Sequence, residues 1–89
     1  MVRMFVRHTV ADYDQWRRVY DGAAEMQETA GVRGKGVFQS VDDPTDITVW
    51  HDFDDLEAAQ AFAGADDLHE RLVASGVQGE PEVWLTREV

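Results

Sequence analysis

The chain has 89 residues, no cysteine, and 18 acidic against 8 basic side chains, a formal charge of −10. One domain, residues 1–89, accounts for that length, and so small a domain leaves apolar surface that pairing with a second copy could bury. The negative field and scattered bases, with Arg17-Arg18 the only adjacent pair, exclude nucleic acid as a partner. The missing cysteines exclude disulfides, thiolate nucleophiles and Cys-ligated metals. No apolar run is long enough to span a bilayer, and Met1–Phe5 enters a strand pattern without the long apolar segment of a secretory signal. A cytoplasmic protein without membrane contact is expected.

Residues 2–10 alternate with a period of two, Met4, Val6, His8 and Val10 pointing one way and Arg3, Phe5, Arg7 and Thr9 the other, which predicts a strand. Asp12 is placed to cap a helix, with Gln15 in the reciprocal position. Tyr13, Trp16, Val19, Tyr20, Ala23, Met26 and Ala30 then form one helical face, and Gly31 ends the helix in the left-handed region. Residues 36–41 predict a second strand, Asp42-Asp43-Pro44-Thr45-Asp46 a turn, and residues 47–53 a third strand paired with the second. Asp54 or Asp55 starts a second helix with Leu56, Ala59, Phe62 and Ala63 inward. Gly64 interrupts it, Asp66 recaps a final stretch, and Gly76 ends it. Residues 82–87 predict the last strand.

The chain repeats itself. His8-Thr9-Val10-Ala11-Asp12 and His51-Asp52-Phe53-Asp54-Asp55 each close a strand and open a helix, and the two helices stop at Gly31-Val32-Arg33-Gly34 and Gly76-Val77-Gln78-Gly79. The resulting βαββαβ order favours a ferredoxin-like α+β fold, a four-stranded antiparallel sheet with two helices on one face and the first and third strands at its centre. The mostly aliphatic face (Met4, Val6, His8, Val10, Val37, Gln39, Val41, Ile47, Val49, His51, Phe53, Val83, Leu85) should lie under the helices. The opposite face carries Phe5, Phe38, Trp50 and Trp84, one large aromatic per strand. No predicted element remains to cover these four, so a two-fold homodimer through this open face is expected.

The Val10-Ala-Asp-Tyr-Asp-Gln-Trp16 and Phe53-Asp-Asp-Leu-Glu-Ala-Ala-Gln-Ala-Phe62 helix starts, in this element order, resemble the dimeric α+β barrel superfamily over essentially the whole chain. The superfamily includes antibiotic-biosynthesis monooxygenases, haem-degrading oxygenases, muconolactone-isomerase-like enzymes, polyketide cyclases and small proteins without assigned activity. The resemblance implies a pocket for an apolar or aromatic small molecule between helices and sheet. The cofactor-free quinone-forming and haem-degrading branches place an asparagine in that pocket. This chain has none, so that active site is not carried over.

Polar residues on the aliphatic face mark where chemistry could sit: His8, Gln39 and His51. If register follows the repeat, His8 and His51 lie at opposite ends of the sheet, roughly 20 Å apart at about 3.3 Å per residue, beyond a shared metal. No metal and no cofactor are expected. His69 shares the inner stripe of Phe62 and should converge with His8, Tyr13 and Trp16, while the His51 end gathers mainly Leu56, Ala59, Met26 and Gln27. His8 or His69 would serve as general acid or base, since histidine titrates near neutrality. Trp16 and Tyr20 would be apolar walls and Tyr13 a hydrogen-bond donor, with Gln39, His51 and Phe62 completing the ligand-binding set. Two functions remain open. One is an enzyme without bound cofactor that oxygenates, isomerises or cyclises an aromatic ketone or phenol. The other is a non-catalytic dimeric module for a ligand or a partner. Gly-rich phosphate loops and hydrolase motifs are missing.

Overall fold

Alternation of apolar side chains along residues 2–10 generates the strand on which the fold is assembled. The computed structural model, which describes residues 1–89, runs β1 (Val2–Val10), α1 (Tyr13–Gly22), α2 (Ala24–Thr29), β2 (Gly34–Gln39), β3 (Asp46–Phe53), α3 (Leu56–Ala63), α4 (Asp66–Ala74) and β4 (Val77–Arg87). The strands form one antiparallel sheet in the order β2-β3-β1-β4, the ferredoxin-like α+β arrangement with β1 and β3 central. Val2, Met4, Val6, His8 and Val10 of β1 and Ile47, Val49, His51 and Phe53 of β3 are buried on one face. They pack with Trp16, Tyr20, Val32, Ala59 and Phe62 as the core. No helix is long and apolar enough to cross a membrane.

Local chemistry sets the helix ends. The Asp12 carboxylate accepts the backbone N–H of Asp14 at 2.9 Å and of Gln15 at 3.4 Å, and Asp55 accepts that of Ala58 at 2.8 Å. Gly31 and Gly76 adopt φ of +99° and +82° beyond their helices, a region that costs side-chain-bearing residues strain. Each of the two expected helices is split. The first, expected to run unbroken to Ala30, breaks at Ala23, whose φ of −91° and ψ of 2° depart from the helix directly after Gly22. The second breaks at Gly64 as expected. The cap of α4, however, is Ala65 without a side-chain bond, and Asp66 and Asp67 occupy the first turn, where the helix dipole favours negative charge.

Strand boundaries shift. β2 begins and ends two residues earlier than expected, because the turn takes over at Ser40. The Ser40 N–H donates to the Asp46 carbonyl at 2.9 Å, and the Asp43 carboxylate accepts the Thr45 N–H at 2.9 Å and its hydroxyl at 2.7 Å. Val41, expected on the inner face, therefore stands in solvent. Gln39 is exposed too, its amide donating to the Pro44 carbonyl at 3.2 Å. β4 starts at Val77 rather than Glu82 and is bulged: while β1 advances from Arg7 to Thr9, its partner changes from Glu82 to Gln78, leaving Gly79-Glu80-Pro81 unpaired opposite His8.

On the open face Phe5 stacks on Trp84 with centroids 5.3 Å apart, and the Arg3 guanidinium lies 4.0 Å over the Trp50 ring. Arg3 also forks onto Asp52 at 2.7 and 2.9 Å, and Arg7 onto Asp46 at 3.1 and 2.7 Å. These ion pairs hold both carboxyls below the ordinary range. Trp50 lies flat across Gly36, where a Cβ would run into the indole Nε1 and Cε2. The Arg3 guanidinium also packs on that ring, so Gly36→Ala should force it off its seat. The expected cost is about 1–3 kcal/mol of overpacking, measured by urea denaturation with tryptophan fluorescence.

Candidate functional site

Trp16, Tyr20, Ala23 and Gln27 recur at four-, three- and four-residue steps, so the first helical segment presents one stripe to β1 and β3. All four are buried. Their rings continue into the sheet as a row. His8 meets Trp16 at 5.5 Å between centroids, Trp16 stacks on Tyr20 at 4.9 Å, Tyr20 on His51 at 6.0 Å, and His51 meets Phe62 edge-on at 5.5 Å. Beyond the row lies a cavity of about 460 Å³, floored by Met4, Val6, His8, Val49 and His51 and walled by Trp16, Tyr20 and Phe62. α4 covers it with Leu68, His69 and Leu72, yet buries none of its own residues. The bulged stretch of β4 forms the rim through Gly79, Glu80 and Pro81. Volume and lining suit a small, largely apolar molecule.

The cavity lining also includes Gln27, His69, Arg71, Ser75 and Glu80, and the under-satisfied polar groups are the two histidines of its floor. His8 is 6 % exposed, and neither of its ring nitrogens has a partner. His51 is 3 % exposed; its Nε2 shares a 3.0 Å hydrogen bond with the Tyr20 hydroxyl, and its Nδ1 has no partner. Burial lowers the proton affinity of both histidines. That of His8 is partly restored by nearby Asp46, whereas His51, also repelled by Lys35, falls to about 4. Burial pushes the Tyr20 phenol up to about 12. At neutral pH all three groups are uncharged. No three His, Asp or Glu side chains are grouped as metal ligands.

No family model and no curated protein matches the sequence. Solved structures do match its shape. An antibiotic biosynthesis monooxygenase superposes with a TM-score of 0.76 at 14 % identity, covering 100 % of this chain and 99 % of that one. SnoaB, a cofactor-independent oxygenase from Streptomyces nogalater, gives 0.76 at 14 % identity over 99 % and 94 % of the two chains. A conserved protein from Methanosarcina mazei gives 0.78 at 17 % identity over 99 % and 92 %. The chain has the antibiotic-biosynthesis-monooxygenase-like fold. Identities this low establish the fold and leave the chemistry to this chain's own residues.

Within that fold the expected site residues are distributed differently from the repeat-based reading. His51 pairs with Met4, and His8 lies four residues further along β1 opposite Ile47. The two histidines are thus offset by roughly 13 Å along the strands, closer than the expected 20 Å, and floor one cavity. Tyr20, expected as a wall of the His8 end, bonds His51 instead, so the His51 end gathers Tyr20 and Phe62 in addition to the neighbours expected there. Trp16 touches His8, and His69 reaches the cavity wall from α4 while remaining exposed. Tyr13 and Gln39 lie outside the wall. Tyr13 packs on Trp16 at 6.0 Å and accepts from Arg17 at 3.5 Å, and Gln39 belongs to the hairpin turn. Two participants were given no role. Gln27, expected among the residues at the His51 end, is 4 % exposed, lines the cavity and accepts a 2.8 Å hydrogen bond from Lys35, the cross-strand partner of His51. Ser75 is buried at the base of α4, with its hydroxyl donating to the Leu72 carbonyl at 2.9 Å.

The depressed histidines imply a pH dependence of folding. Between the unfolded value near 6.5 and the folded value of about 4, the unfolded chain carries a proton on residue 51 that the folded chain does not, so stability falls as pH drops through that window. The loss attributable to His51 should reach about 3 kcal/mol, with His8 adding in the same direction. Urea unfolding from pH 7.5 to 4.5, alongside imidazole NMR titration, measures it. A flat stability curve across this range would contradict the assignment.

Proposed function

We propose that the protein is a homodimer whose helix–sheet cavity binds a small apolar or aromatic molecule, and that His8 acts there as general base on a bound ketone or phenol. No bound cofactor is required by this reading. The observation that carries it is His8 itself: its imidazole belongs to the floor of a cavity of about 460 Å³, and both ring nitrogens are buried without a hydrogen-bond partner. An unpartnered buried polar group is costly, and a ligand hydroxyl or carbonyl would relieve that cost. Its lowered proton affinity leaves a lone pair available at neutral pH, as a base requires. Proton removal from an acidic C–H or O–H would leave a carbanion or phenolate beside Trp16. Isomerisation returns that proton to another atom, cyclisation spends the electron pair on an internal bond, and oxygenation requires dioxygen as the electron acceptor. SnoaB, which shares the fold, is by name a cofactor-independent oxygenase.

Support for the dimer comes from the open sheet face. Phe38 is 60 % and Trp84 42 % exposed, and the stacked Phe5–Trp84 pair and Trp50 share that face without a helix over them. A second copy would bury these rings. The cavity itself supports a ligand, since Trp16 and Tyr20 wall it without filling it.

For the site, a panel of polycyclic ketones and phenols is screened for binding by tryptophan fluorescence and for turnover by dioxygen uptake and absorbance change. His8→Ala should keep its near-ultraviolet circular dichroism and lose about 10²–10⁴-fold in turnover. Binding without turnover by any compound would leave the non-catalytic module; absence of binding would overturn the reading altogether. For the assembly, light scattering at tens of micromolar should give twice the chain mass, and Trp84→Glu should halve it. A wild-type monomer would overturn the dimer.

A further inference from the structure

We infer that Arg71 is an anion handle in the cavity lining, so that the ligand is an amphipathic carboxylate, its acid group held at Arg71 and its apolar body lying against Trp16 and Phe62. This rests on the cavity reading above and deepens it by assigning the ligand's charge.

α4 turns one stripe toward the cavity. Leu68, Leu72 and Ser75 recur at four- and three-residue steps and line it, and Arg71 falls on the same stripe, three residues after Leu68. A leucine or methionine at residue 71 would complete an apolar roof. Instead a half-buried arginine stands at the seam between the cavity and an outer groove that separates α2 from the α3–α4 pair. Met26, Phe62 and Arg71 line both spaces.

That charge has no partner within the chain. Arg3, Arg7, Arg17 and Arg33 each hold a carboxylate, and Lys35 donates to Gln27. Arg18 and Arg87 are exposed to water. Arg71 alone among the basic residues is half-buried with neither an ion pair nor a side-chain hydrogen bond. Carboxylates are not scarce around it. Asp67 precedes it by one helical turn, Glu25 shares the outer groove and Glu80 the cavity rim, yet none pairs with it. A chain of charge −10 thus leaves its one half-buried, cavity-lining guanidinium open to a carboxylate from outside. The fork that Arg3 closes on Asp52 at 2.7 and 2.9 Å is the geometry such a ligand would meet.

The position also suits a charged head group. At a half-buried arginine the pair stays partly hydrated, so the anion escapes the full desolvation cost of deep burial while the apolar body enters the cavity. Glu80, the other permanent charge of the lining, is exposed on the rim, where water and salt screen it.

The test uses the full chain near neutral pH and three probes on one frame: naphthalene-2-carboxylate, naphthalene-2-carboxamide and 2-(aminomethyl)naphthalene. Affinities are read by titration calorimetry. The carboxylate should bind roughly five-fold tighter than the amide at low salt, as a half-exposed guanidinium–carboxylate pair allows, and added sodium chloride should shrink that ratio. The chain's own negative field opposes every anion, so this order cannot arise from non-specific attraction. Arg71→Met keeps an unbranched, helix-favouring side chain. It should bring the ratio to about one or below with the amide's affinity unchanged, and Arg71→Lys should restore part of the ratio without the fork. Equal wild-type affinity for carboxylate and amide, tighter binding of the ammonium probe, or an unchanged ratio in Arg71→Met overturns this inference and leaves an apolar cavity without an anion handle. Failure of the carboxylate and the amide alike removes the cavity reading as well. Should Arg71→Met not fold, the salt dependence of the wild-type ratio and the shift of the Arg71 Nε resonance on adding the carboxylate decide.

Discussion

The row of rings from His8 through Trp16, Tyr20 and His51 to Phe62 sets the separation between the first helix and the sheet. Stacked and edge-on rings cannot interdigitate as aliphatic side chains do, and the Tyr20–His51 hydrogen bond fixes one point of the row at 3.0 Å. The helix is therefore held off the sheet by one ring layer. On the α4 side of the row nothing equally bulky fills the gap, since α4 contributes Leu68, His69 and Leu72 without burying any of them. The cavity is thus a consequence of packing: a rigid aromatic spacer on one flank and a loosely seated helix on the other.

Such an arrangement is costly for folding. Three imidazole nitrogens are buried without partners, each comparable to a lost hydrogen bond. Leucine or phenylalanine at residues 8 and 51 would pack the same face without that cost, and the neighbouring inward residues Met4, Val6, Ile47 and Val49 show what an ordinary core choice looks like here. These unpartnered nitrogens belong to residues that also line a space large enough for a small molecule, and that coincidence motivates the proposed binding role.

Much of the fold could be read from the sequence because its signals are local. The period of two identified the buried face of β1 and β3, the Asp12 and Asp55 caps marked two helix starts, and Gly31 and Gly76 marked two stops. The site was less legible because it depends on register and on breaks. An internal repeat suggested that His8 and His51 lie far apart. The β1–β3 register, with Met4 opposite His51 and Ile47 opposite His8, decides that distance, and the repeated residues do not specify it. Likewise Tyr13 and Tyr20, seven residues apart on the unbroken α1, were expected at the same end as His8, whereas Tyr20 bonds His51 and Tyr13 packs on Trp16 beside Arg17. Gln27 was placed at the His51 end, but its partner was not legible, because Lys35 is brought to it from β2 only by the folded sheet.

β3 links the two surfaces on which function is proposed. His51 points into the cavity, while its neighbours Trp50 and Asp52 sit on the other face, Trp50 against Gly36 and under Arg3, Asp52 in the fork of Arg3. Because side chains alternate, a one-residue slip of β3 would exchange the two sets, burying an indole and a carboxylate under the helices and exposing the imidazole. The Arg3–Asp52 and Arg7–Asp46 forks join β1 to β3 near both ends of their pairing and resist that slip. They therefore act at a distance on the cavity: by holding the register from the outer face, they fix the offset between His8 and His51 on the inner one.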